Sequence, residues 1–163
     1  MARISVARSS YINTPPGPAP NLTVHPVDWS KTDLPEYGGL YAVVLDGVLT
    51  ADECKTFVAA AEAHAGSAGW ERAMVNVGGG RQMLIEDTRS CGRIIWDDFD
   101  LMDRLWKRIE GALPELHKFD SGKSKLIVGN GPVKRGETWK MTRLNERMRF
   151  LRYEGGEYFR RKL

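Results

Sequence analysis

Three histidines, His25, His64 and His117, and two cysteines, Cys54 and Cys91, are the side chains best suited to hold a metal or attack a substrate. His25 and His117 have aspartates three residues on, Asp28 and Asp120. His25 falls in a proline-rich stretch, His64 at the end of an expected helix and His117 in a polar stretch, so all three read as solvated or capping residues. The cysteines match no zinc spacing and make no disulfide framework, which points to a reducing compartment. Cys54 falls on an apolar helical stripe and reads as a core residue. Cys91 is flanked by Arg89 and Arg93, whose charge favours the thiolate, but a nucleophile also needs a positioned base. Gly78-Gly79-Gly80 lacks the Gly-Lys-Ser/Thr ending of a phosphate loop and reads as a surface turn. Residues 135–163 carry nine Arg or Lys against four Glu, a net +5 in a chain of net +3. Such a basic end can attract an acidic partner or nucleic acid.

The elements that must position these groups are visible in the pattern. Residues 1–38 are dense in proline from Tyr11 to Pro20, with Pro26 and Pro35 beyond. Proline favours extended conformations and cannot join a helix interior, so this segment reads as a flexible or surface-draped arm and the domain as 39–163. Tyr41–Leu45 is a short apolar run of strand type, and Asp46-Gly47 a turn. Thr50-Ala51-Asp52-Glu53 is a capping box that opens a helix. Cys54, Phe57, Val58 and Ala61 follow at helical spacing, and Gly66 stops it. Trp70–Val77 alternates, with one break in phase, and predicts a strand. A second helix is expected from Asp97 or Asp98, with Leu101, Leu105, Ile109 and Ala112 as its stripe, Met102 and Trp106 widening it, and Pro114 closing it. Residues 115–138 are polar and glycine-rich and read as a long loop. Arg147–Tyr153 predicts a strand, Glu154-Gly155-Gly156 a turn, and Glu157–Arg160 the start of another strand.

The chain has 163 residues, 42% hydrophobic and 28% charged, the balance of one globular domain rather than a disordered segment. No run of 18 apolar residues occurs, so no membrane-spanning helix is expected. Met1–Ser10 has no apolar core and does not read as a secretory signal. A cytoplasmic or nuclear location is the expectation.

The string from Leu144 to Phe159 resembles the hairpin that leads into the active site of prolyl 4-hydroxylase-type oxygenases, which depend on Fe(II) and 2-oxoglutarate. That family shows Tyr-x-x-Gly-x-x-Phe-x-x-His-x-Asp, and Tyr153, Gly156 and Phe159 occupy its first three places. Leu49–Cys54 resembles the family's N-terminal helix, and Asp87–Arg93 and Trp106–Ile109 its upstream elements. The likeness covers roughly residues 40–160.

The resemblance implies an α+β fold, with N-terminal helices packed on a double-stranded β-helix, or jelly-roll, that is incomplete here. It implies an oxidoreductase, a dioxygenase acting on a peptidyl residue with iron, 2-oxoglutarate and L-ascorbic acid. It also places Tyr153 inside the barrel, where its hydroxyl would bond the 2-oxoglutarate carboxylate, with Arg149 and Leu151 on the same strand face. The first metal histidine falls at position 162, which is Lys162, preceded by Arg161 and followed by Leu163. An ammonium offers iron no lone pair, so no metal ligand is assigned and the expectation for this chain is a truncated, inactive member. An open sheet edge is expected to promote self-association or a partly molten state. The alternative is a non-catalytic module whose Arg147, Arg149, Arg152, Arg160, Arg161 and Lys162, interleaved with Phe150, Tyr153, Tyr158 and Phe159, bind nucleic acid or an acidic partner.

Overall fold

A computed structural model describes residues 19, 21–118 and 134–160. The fold is mixed α+β: among the described residues there are two α-helices and several small antiparallel sheets. The described residues form two compact units, 51–99 with 145–160, and 19 and 21–50 with 100–118 and 134–144.

The first unit is built around a three-stranded sheet in the order β3 (Glu71–Arg72), β7 (Gly92–Asp97), β8 (Arg147–Arg152). Strands β7 and β8 pair from Gly92↔Arg152 to Asp97↔Arg147. Residues directly opposite in such a pair share a face. One face therefore carries Ile94, Trp96, Met148 and Phe150, and helix α1 (Ala51–Ala65) packs on it. Phe57 meets Phe150 at 6.0 Å between ring centroids, and His64 stacks on Trp96 at 5.2 Å. Ala61, Ile94 and Met148 are buried there. Helix α1 starts where the capping box places it and gives way at Gly66 to a 3-10 turn. Cys54, expected in the core, is exposed. The helix packs through Phe57, Ala61 and His64, and Cys54 lies on the turn before that section.

Trp70–Val77, expected as one strand, is two. The break in phase falls at buried Ala73, whose N–H donates to the Cys91 carbonyl at 3.0 Å. Beyond it β4 (Val75–Gly78) and β5 (Arg81–Met83) form a hairpin with the triple glycine at its tip. A fourth pair joins β6 (Arg89–Ser90) to β9 (Tyr158–Phe159).

In the second unit β1 (Thr23–Pro26) pairs with β2 (Val43–Asp46), so part of the proline-rich segment is in a sheet. Trp29 anchors the following turn by donating Nε1–H to the Leu40 carbonyl at 2.8 Å. Helix α2 (Phe99–Ile109) begins two residues after Asp97, which ends β7. Its Leu101 and Trp106 are buried, as the stripe predicts. The polar loop expected at 115–138 lies largely outside the described residues.

Candidate functional site

Tyr153 follows directly on β8, and the register carried one step past Gly92↔Arg152 sets it opposite Cys91. Alternation puts it on the sheet face away from α1, together with Arg149 and Leu151 from β8 and Arg93 and Ile95 from β7. Leu151 is 42% exposed and Tyr153 44%, so this part of the face is open. Cys91 is 1% exposed and accepts a hydrogen bond from Arg89 Nε at 3.2 Å. The guanidinium of Arg89 also lies 5.0 Å from the centre of the Phe159 ring. Partial burial and the neighbouring Cys91 sulfur hold the phenol above the usual tyrosine range, and Arg89 acts in the opposite direction. Arg89, Cys91, Tyr153 and Phe159 are thus one cluster. Sequence reading named all four, Arg89 beside Cys91 in one argument and Tyr153 with Phe159 in another. The signal that joins them is the two-residue alternation of β8 combined with a register that the sequence does not disclose.

The turn that carries the family-like spacing is held by a carboxylate. Glu157 Oε2 accepts the Glu154 N–H at 3.0 Å, and its Oε1 accepts from Arg72 at 2.5 Å. Arg72 also donates to Ser90 Oγ at 2.7 Å. The Glu154 amide and then Arg72 hold the Glu157 carboxyl below its ordinary range. Gly156 has φ +83°, a conformation that side chains with Cβ avoid. Arg160 N–H donates to the Thr88 carbonyl at 2.8 Å and Tyr158 O–H to the Glu86 carbonyl at 3.1 Å, which continues the β6–β9 pairing.

The histidines do not converge on this cluster. His25 Nε2 lies 3.1 Å from Thr23 Oγ1 and 3.4 Å from Asp46. His64 stacks on Trp96, and His117 Nε2–H donates to the Glu110 carbonyl at 2.7 Å. Among the described residues no three His, Cys, Asp or Glu side chains form a set that could hold a metal ion. Lys162 lies outside the described residues.

Two of the arginines in the C-terminal segment have partners within the first unit, while Tyr153, Tyr158 and Phe159 are each more than 40% exposed. Arg147 makes a bidentate pair with Asp97, at 2.8 and 2.7 Å. Arg152 lies 4.7 Å over the Trp70 ring and 3.3 Å from Glu154. In the second unit an open, mostly apolar groove of about 480 Å³ is lined by residues including Val24, Pro26, Leu40, Tyr41 and Pro114. Tyr41 O–H donates there to Glu115 at 3.2 Å.

Neither a protein-family model, nor a curated protein, nor a solved structure matches this chain. No helix among the described residues is long and apolar enough to cross a membrane.

Proposed function

We propose that these 163 residues are the leading part of a 2-oxoglutarate- and Fe(II)-dependent dioxygenase of the prolyl 4-hydroxylase type, in which the face bearing Tyr153 becomes the inner wall of a jelly-roll. The observation that carries this reading is the division of the β7–β8 sheet into two unlike faces. One is closed by α1 through Phe57, Ala61 and His64. The other presents a tyrosine just before a glycine-dependent turn, at the spacing seen before the metal-binding strand in that family. A helix covering only the outer face is what such a barrel wall requires.

In this reading bound iron would activate dioxygen, the oxidant, at the expense of 2-oxoglutarate, and the chain supplies positioning. Glu157 and Arg72 fix the turn after Tyr153, and the bonded pair Arg89 and Cys91 lies beside its phenol. Held protonated, the Tyr153 hydroxyl is a donor suited to a carboxylate oxygen. These residues contribute no iron ligand set, so the 163-residue chain alone is proposed to be inactive, and the acceptor in a complete enzyme is a peptidyl residue.

The test is a chimera in which the segment beyond Arg160 is replaced by the corresponding continuation of a prolyl 4-hydroxylase-type oxygenase. Tyr153→Phe in that chimera is expected to raise the KM for 2-oxoglutarate about tenfold, the worth of one hydrogen bond to a charged group, with kcat little changed. An unchanged KM removes the cosubstrate role of Tyr153.

A further inference from the structure

Arg93 stands apart from the other arginines of the first unit. It is the one charged residue among those buried in the described structure, at 7% exposure. Arg72, Arg147 and Arg152 each have a carboxylate partner. Arg93 does not: among the described residues its polar partner is Gln82 Oε1, to which both terminal nitrogens donate at 3.3 Å. Those bonds are long for N–H···O, and the acceptor is neutral. Glu71 is its register partner in β3, yet Glu71 is exposed and forms no ion pair with it. On the β8 side its diagonal neighbours on the same face are Arg149 and Tyr153. Arg149 adds positive charge rather than cancelling it.

A guanidinium taken out of water with only a neutral acceptor is costly, and a second cation nearby raises that cost. An oxyanion offsets both. The planar fork of an arginine is shaped for two oxygens of one acid group, and Gln82 and Tyr153 can add N–H and O–H donors beside it. We propose that Arg93 anchors a binding site for an oxyanion, a carboxylate or a phosphate borne by a small ligand, on the face of the β7–β8 sheet away from α1, where its own side chain is buried and the neighbouring Leu151 and Tyr153 are exposed. Arg93 is the primary contact, Gln82 turns its amide N–H toward the ligand, and Arg149 supplies longer-range attraction. The site is defined by these side chains alone and needs neither iron nor the oxygenase reading.

The experiment is equilibrium dialysis of the full 163-residue chain against radiolabelled inorganic phosphate and, separately, radiolabelled acetate, with no iron or 2-oxoglutarate present. The expected result is saturable uptake of at least one probe, weakened about tenfold or more by Arg93→Met and unchanged by Lys55→Met on the far side of α1. Uptake of phosphate alone assigns a phosphate ligand, and uptake of acetate alone a carboxylate. Gln82→Glu offers the guanidinium an internal carboxylate. It is expected to abolish uptake and raise the denaturant midpoint. Absence of uptake of either probe, equal uptake by Arg93→Met, or a Gln82→Glu protein that binds as before or is less stable overturns the proposal.

Discussion

Tyr153 and Glu157 show how single side chains set the character of this hairpin. The phenol of Tyr153 is raised by burial and by the Cys91 sulfur beside it. Cys91→Ala should therefore bring its titration down toward the ordinary value of 10.0, followed by NMR of the tyrosine ring. Because the folded phenol is the weaker acid, its contribution to stability is complete below pH 10 and is lost as pH rises through the raised value. The carboxylates have the opposite sign. Glu157 is depressed by the Glu154 amide and by Arg72, and Asp97 by Arg147. Their contributions are complete above the ordinary values, 4.5 and 3.8, and drain away as pH falls through the lower folded ones. Glu157→Gln should flatten the acid limb of a stability–pH profile measured by urea unfolding. A limb as steep as that of the parent chain would show that the turn is not held this way. Arg89→Met removes both the bond to sulfur and the cation over Phe159, and should cost about 1 kcal/mol in the same measurement.

At the scale of elements, the strands depend on two glycines for different reasons. A Cβ on Gly156 would meet nothing within 4 Å, so Gly156→Ala should cost only the strain of positive φ, about 1–2 kcal/mol. A Cβ on Gly92 would come within 3.2 Å of Trp70 Cβ. Gly92→Ala should therefore push Trp70 away from Arg152 and change the tryptophan fluorescence as well as the unfolding midpoint. Helix α1 was legible in the sequence because a capping box and a helical stripe are local signals, and so was α2 from its stripe. Strand β8 was legible as a strand, but its partner was not. Asp97 and Arg147 are fifty positions apart, and nothing local to either encodes the register. For the same reason Tyr153 was singled out without its contacts to Arg89 and Cys91. The sequence placed Cys54 in the core because its stripe position is correct, but the sheet meets α1 only from Phe57 onward. The pairing of β1 with β2 was hidden because proline density masks a strand whose prolines sit at its margin.

For the whole molecule, the open side of the first unit bears on solution behaviour. Met83, Leu84, Leu151, Tyr158 and Phe159 are each more than 40% exposed, and among the described residues β8 forms one edge of its sheet. Exposed apolar groups beside an unpaired strand favour association. Sedimentation velocity should show concentration-dependent self-association that is reduced by Leu151→Lys with Phe159→Lys; a monomer at all concentrations would contradict this. The central claim concerns what this chain contributes to a catalyst, and release of labelled carbon dioxide from 2-oxoglutarate in the presence of Fe(II) tests it most directly. The 163-residue chain should give no release, and the chimera carrying an oxygenase continuation after Arg160 should give release that requires iron. Turnover by the chain alone, or a folded, iron-loaded chimera that leaves 2-oxoglutarate intact, would contradict the account.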